Sequence, residues 1–367
     1  MKINTLLNII NKHVPLDTAE EWDNVGLLIG DKESEVTGIL TTLDCTNDVV
    51  EEAIALNYNT IISHHPLIFK GVNNIVENDG YGAIIRKLIK SNINLIALHT
   101  NLDVYKYGVN KMLADKIGLS NLSFLNEETH AYYKVQFFVP EEHKELLKGK
   151  LSEHGLATEG DYEHCFFESK GTGNFKPVTG AKPFIGNMDE IEAIKECKVE
   201  FMIKANQKSL AQQLIEQYHP YETPVYDFIS MTKVADYGLG MIGELDKPLT
   251  AKDFAESVKT SLSIPSVRFT GDIESTVKHV AIIGGSGIGF EYKANASGAD
   301  IFITGDVKHH DALDAKTNAI NILDINHYSE YVMKEGLLDL LHAWLKCKDI
   351  TFNIKASTIN TNPFQYI

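Results

Sequence analysis

The residues with the strongest chemical potential lie in three short stretches. IISHHPLIF (61–69) presents His64 and His65 after a β-branched apolar run, LHTNLD carries His99 and Asp103, and INHYSE carries His327 and Glu330. Each stretch follows a segment that reads as a buried strand. In open parallel sheets, ligands bind beyond the carboxyl ends of strands, where loops converge. An isolated histidine is ordinarily a surface or satisfied core residue, but imidazole and carboxylate recurring at separate strand ends point to a metal site. Neighbouring side chains diverge on extended backbone, so His64 and His65 are expected to serve two adjacent ions rather than one. His327 and Glu330 are three apart and share a face if a helix begins there. A carboxylate such as Glu330 can then bridge ions about 3.5–4 Å apart.

His64 and His65, with Asp103, His327 and Glu330 after other strands, are therefore the leading ligand candidates, and their spacing supports more than one divalent ion. Imidazole and carboxylate without thiolate suit zinc, with manganese or iron as alternatives. His99 is expected to support or pack against the site. In TGDVKHHDALDA, His309 and His310 follow another strand and could be ligands; with Asp306 they are kept as near-site candidates. No side chain stands out as a nucleophile: there is no GxSxG elbow, and the attacking group is expected to be a metal-activated water. IIGGSGIGFEYKA (282–294) reads as a strand, a glycine-rich turn and a helix, either a tight turn or a cradle for an anion on backbone N–H groups; it is not a P-loop, since no GKS or GKT follows, and not GxGxxG, since Phe290 stands where the third glycine would be. GTGNFKP (171–177) reads as a hairpin turn.

The elements that must position these residues follow from periodicity. From 37 to about 125, TGILTTLD, NTIIS and INLIALH read as strands. They alternate with helical NDVVEEAIALN, with Asn47 or Asp48 near its cap, YGAIIRKLIKSN and GVNKMLADKIG. Such alternation implies βαβ units and a largely parallel sheet. VKHVAIIGG, ADIFITG and INILDIN repeat the texture near the end. Between them, KVQFFVP, a helix, YEHCFFESKG, KVEFMIKA, a second helix and PVYDFISM give strand, helix, strand, strand, helix, strand, the ferredoxin-like order. The expected organisation is α/β: two similar α/β halves, 1–127 and 236–367, forming the metal-binding core, with an inserted ferredoxin-like α+β domain at 128–235.

The formal net charge is −16, from 34 basic against 50 acidic side chains, so a broad nucleic-acid footprint is not expected. The cysteines at 45, 165, 197 and 347 form no CxxC pair and suggest neither a disulfide framework nor a thiolate metal site. MKINTLLNIINKHVPL reads as an amphipathic helix rather than a signal peptide. No run approaches the roughly 18 to 20 apolar residues of a membrane span. A cytoplasmic location follows as the expectation.

WDNVGLLIG, ISHHPLIF, LHTNLD, ADIFITGDVKHHDA and INHYSE, in this order and spread over almost the whole chain, resemble the NIF-three-like dinuclear-metal proteins, also called GTP cyclohydrolase I type-two homologues. GTGNFKPVTGAKPFIG and YHPYETPVYDF are similar to the inserted PII- or CutA-like domain of the longer bacterial members. The resemblance implies His64, His65, Asp103, His327 and Glu330 as ligands, with Glu330 as the bridge. It also implies a ring-shaped homohexamer with metals facing an inner cavity. Two functions follow as expectations: a metal-dependent hydrolase of a small nucleotide-like molecule, with GTP ring-opening at C8 as the specific case, or a regulatory, metal-storing or sensing assembly without turnover.

Overall fold

The computed structural model describes residues 1–77, 80–348 and 350–367. Helix α1 (Ile3–His13) buries Ile3, Leu6 and Ile10 along one face, the stripe its periodicity predicts. The chain then forms β1 (Gly26–Ile29), β2 (Ile39–Thr42), α2 (Asn47–Ala55), β3 (Thr60–Ser63), α3 (Gly80–Lys90), β4 (Asn94–Ala97), α4 (Thr100–Val104) and α5 (Val109–Lys116). Every residue of β2, β3 and β4 is buried, as strands covered on both faces require. The cap of α2 is Thr46, whose side chain accepts from the Val49 amide, rather than Asn47 or Asp48.

Strand β5 (Ser120–Pro140) precedes α6 (Lys144–Glu153), β6 (Phe167–Phe175), β7 (Glu192–Lys204), α7 (Lys208–Tyr218) and β8 (Tyr226–Thr250). Strand order here is β6-β7-β5-β8, the ferredoxin-like arrangement. GTGNF is not a turn: Gly171–Phe175 continue β6, with Gly173 opposite Ile194 of β7. The reason is packing, since the bare Gly173 lets the Glu196 side chain lie across the strand, 2.1 Å from where a Cβ would stand.

The last segment supplies α8 (Ala251–Ser261), β9 (Arg268–Thr270), β10 (Thr276–Ile282), α9 (Glu291–Ala296), β11 (Ile301–Thr304), α10 (His309–Thr317), β12 (Ile322–Asp324), α11 (Met333–Lys346) and β13 (Ile354–Ala356). Strands β10, β11 and β12 are mutually parallel, with β8 and β9 antiparallel beside them. Strand β13 crosses to the other sheet, pairing parallel with β2 in the order β1-β4-β3-β2-β13.

The chain divides into two compact units, residues 1–127 together with 236–367, and residues 128–235. In the first, Leu98, Leu113, Val280, Ile303 and Leu337 share one core cluster, so the flanking segments fold as one body. The second has its own core around Val135, Phe137, Leu147 and Ile215. Among the described residues no helix is long and apolar enough to cross a membrane.

Candidate metal centre

The structure brings His64, His65, Asp103, His327 and Glu330 to the carboxyl ends of parallel strands. His64 and His65 follow β3, whose end is held beside β2 by the His64 and His65 amides donating to the Thr42 and Leu43 carbonyls at 3.1 and 2.9 Å. Asp103 lies in α4, just after β4. His327 and Glu330 lie on a short 3-10 helix, His327–Val332, that precedes α11; three residues apart they share a face, and the α-helix begins later. Their ligand atoms fall into two groups, His64 with Asp103 and Glu330, and His65 with His327 and Glu330, each within 4.8 Å. A third group joins His64, His65 and His99.

Each imidazole has Nδ1 engaged away from the centre. His64 Nδ1 donates to the Leu98 carbonyl at 2.8 Å, which fixes its tautomer and leaves the Nε2 lone pair free. His65 Nδ1 donates to Asp44 at 2.7 Å, His327 Nδ1 to Asp306 at 2.6 Å, and His99 Nδ1 to Asp23 at 2.8 Å. Such outer partners orient metal-binding imidazoles and raise their basicity. Glu330 Oε2 lies 3.2 Å from His65 Nε2, 3.3 Å from His327 Nε2 and 3.8 Å from His64 Nε2. One buried carboxylate thus faces three imidazoles.

The electrostatics follow from burial and from the carboxylates that face the rings. His64 is completely buried, and burial holds its pKa down at about 3, so it is neutral. Burial also penalises protonated His65, but the Asp44 and Glu330 carboxylates override it and raise the ring to about 10. Hydrogen bonding to Glu330 raises His327 to about 9. Burial would push Glu330 up, yet hydrogen bonds from His327 and His65 hold it well below the usual carboxylate range. Asp103 is raised well above that range by burial and by the Glu330 charge.

Two buried polar atoms, His64 Nε2 and Asp103 Oδ1, have no hydrogen-bond partner and lie 3.5 Å apart. A buried lone pair without a partner is costly and rare in folded proteins, and two facing each other beside Glu330 fit a bound cation. The donor set of imidazole nitrogen and carboxylate oxygen agrees. Among the described residues no cysteine belongs to the three groups, and burial pushes the thiol of Cys45, next to Asp44 in the chain, up to about 12.

Two glycines make the space. Gly285, at φ +60°, would with a Cβ stand 2.6 Å from Glu330 Oε1 and 3.4 Å from His327 Nε2. Gly305 would meet the Gly285 carbonyl oxygen at 2.8 Å and the His327 amide nitrogen at 2.9 Å. The glycine-rich turn after β10 therefore serves close approach to the ligands. Buried Asn110 links it to the Asp103 loop, accepting from the Gly284 amide at 2.8 Å and donating to the Asp103 carbonyl at 2.9 Å.

His99 sits against His64 and His65, with ring centroids 5.2 and 5.7 Å away, and Asp306 holds His327. His310 lies exposed in the first turn of α10, outside the three groups. Sequence reasoning missed Asp44, Asp23 and Asn110. Asp44 stood at the end of TTLD, one strand over from the histidines, and its strand-end position was a usable signal.

A family profile described as Duf34/NIF3 (NGG1p interacting factor 3) matches residues 1–363. The chain belongs to the Duf34/NIF3 family. It is 62% identical over 366 residues, the full length of both, to a Staphylococcus epidermidis protein named GTP cyclohydrolase 1 type 2 homolog. A crystallised Staphylococcus aureus protein superposes with a TM-score of 0.86 at 56% identity, covering 100% of this chain and 99% of that one. A Bacillus cereus protein related to NIF3 gives a TM-score of 0.74 at 36% identity with the same coverage. Within the NIF3 fold the His/Asp/Glu cluster is thus a candidate metal site carried by both sheets of the core unit.

Proposed function

We propose that this NIF3-family chain is a divalent-metal-dependent hydrolase of a small nucleotide-like substrate, holding two ions that share Glu330. One would lie between His64, Asp103 and Glu330, the other between His65, His327 and Glu330. Zinc suits the donors best, with manganese or iron as alternatives. The observation that carries this reading is the partnerless pair His64 Nε2 and Asp103 Oδ1, buried beside Glu330. When bound, the ions would supply concentrated positive charge that acidifies water and stabilises developing negative charge. The chain's own residues do the rest. Asp44 and Asp306 keep the Nδ1 protons of His65 and His327 outside the centre, Glu330 supplies negative charge, Asp103 would add to it on giving up its proton to a bound cation, and burial of His64 and Glu330 excludes bulk water. The relatives' name points to GTP, opened hydrolytically at C8 of the guanine ring, as the first substrate to try. A ring-shaped homohexamer and a cytoplasmic location belong to the same reading.

A second reading is a regulatory or metal-storing assembly without turnover. The ferredoxin-like strand order of residues 128–235 favours it, since a PII- or CutA-like insertion suits ligand sensing. Elemental analysis of the wild type and Glu330→Gln, followed by a metabolite screen led by GTP with and without chelator, separates the readings. Two ions in the wild type, fewer in Glu330→Gln, and chelator-sensitive turnover lost in His65→Ala at retained assembly support the hydrolase. Metal that loads and exchanges without turnover supports the second reading, and a metal-free wild type overturns both.

A further inference from the structure

Phe69 lies in the loop that presents His64 and His65 and is 46% exposed. Trp22, 60% exposed, stands beside it with ring centroids 5.8 Å apart and planes at 67°. Both rings meet His99 edge-on, at 6.3 and 6.4 Å. His99 in turn packs against His64 and His65. One imidazole thus separates an open aromatic corner from the metal-ligating cluster.

A single exposed aromatic residue needs no explanation. This pair is different because the flanking residues hold it in place. Asp23, next to Trp22, accepts from His99 Nδ1 at 2.8 Å and from Thr100 Oγ1 at 2.5 Å, and these bonds hold its pKa at about 2 against the effect of burial. Asn24 donates to the Ile68 carbonyl at 2.5 Å, tying the Trp22 segment to the residue before Phe69. Trp-Asp-Asn therefore acts as a clamp: one residue fixes His99, one fixes the histidine loop, and one is left facing solvent. Flat heteroaromatic rings stack on exposed aromatic faces, and pockets that orient small ligands combine such apolar surface with a few polar groups.

We infer that Trp22 and Phe69 form the base-binding subsite of the centre, stacking the flat heteroaromatic ring of a purine- or pterin-like substrate so that its reacting edge passes His99 toward His64 and His65. This rests on the proposed hydrolase reading and adds the part of the substrate that is recognised and the residues that recognise it.

The test uses the metal-loaded full-length protein and its Trp22→Leu and Phe69→Leu variants. The probes are GMP, a pterin, and ribose 5-phosphate as the base-free control. The chain has two tryptophans. Trp344 is 6% exposed and stacks on His13 at 4.7 Å, so it serves as an internal reference. Expected are quenching of Trp22 emission by GMP or the pterin but not by ribose 5-phosphate, loss of that quenching in Trp22→Leu, and binding by calorimetry at least about fivefold weaker in both variants. Metal content should stay at the wild-type level. Equal affinity in wild type and variants overturns the inference, as does ribose 5-phosphate binding as tightly as GMP, or no binding of either ring compound to metal-loaded wild type. A wild type that holds no metal instead defeats the hydrolase reading, and elemental analysis of the same samples distinguishes the two.

Discussion

At His65, a candidate ligand, proton binding and metal binding would be coupled. With Nδ1 on Asp44 and Nε2 on Glu330 it carries a proton up to pH about 10, and His327 does so up to about 9. A cation at either Nε2 must displace that proton. At pH 7.5, metal loading is therefore expected to release protons from both rings. Calorimetry in buffers of different ionisation enthalpy counts them, and His65→Ala should release fewer. The sign for stability is definite: both rings have folded values above the ordinary 6.5, so in metal-free protein their stabilisation is complete below pH 6.5 and disappears as pH rises through 9 to 10. Metal affinity should run the other way, strengthening over that same interval. Asp44→Asn removes the carboxylate that orients His65. Metal affinity in chelator competition should fall by about 10- to 100-fold with the fold retained, and an unchanged affinity would show that His65 needs no orienting partner.

At the scale of elements, the centre depends on loops from two sheets approaching closely, and glycine permits it. Gly285→Ala would place a methyl 2.6 Å from Glu330 Oε1 at a residue with φ +60°. That conformation costs an alanine roughly 1–2 kcal/mol, and the carboxylate must also move. A lower thermal midpoint and loss of metal are expected together, whereas Gly289→Ala, whose Cβ would meet nothing within 4 Å but whose φ is +109°, should lower the midpoint without emptying the site. The buried parallel strands were legible in sequence because runs such as NTIIS and INLIALH are apolar on both faces and alternate with amphipathic helices. The candidate site was legible for the same reason, since strand ends fix where His64, Asp103 and His327 emerge. Other features had no local signature. Strand β1 is four residues long and enters through Gly26 at φ +93°, and β13 is three residues long and stabilised by pairing with distant β2. GTGNF looked like a turn because glycine usually marks one; here it makes room for Glu196. Asn110 escaped notice because its role depends on a partner 174 residues away, whereas Asp44 had its strand-end position as a signal.

At the scale of the whole molecule, the candidate ligands and their supporting residues, Asp23, Asp44, Asn110 and Asp306, all belong to the unit made of 1–127 and 236–367. The intervening 128–235 has its own apolar cluster, from Val135 to Ile215, and contributes no residue to the clusters around β2, β3 and β10. The two chain segments at the junction run side by side: Gly238 lies so close to Asn126 that a Cβ would stand 2.5 Å from its carbonyl oxygen. Strands β5 and β8 are neighbours there, so a tight hairpin of two to five residues can join them. Replacing 128–235 by such a turn is expected to give a folded chain with wild-type metal content by elemental analysis and a cooperative thermal transition. If the shortened chain folds but holds no metal, the centre depends on the insertion in a way its residues do not reveal. If it fails to fold with every turn length tried, separability is wrong, while the metal assignment is still judged on Glu330→Gln in the full-length protein. If it folds and binds metal but assembles differently by analytical ultracentrifugation, the insertion acts on assembly, as the regulatory reading requires.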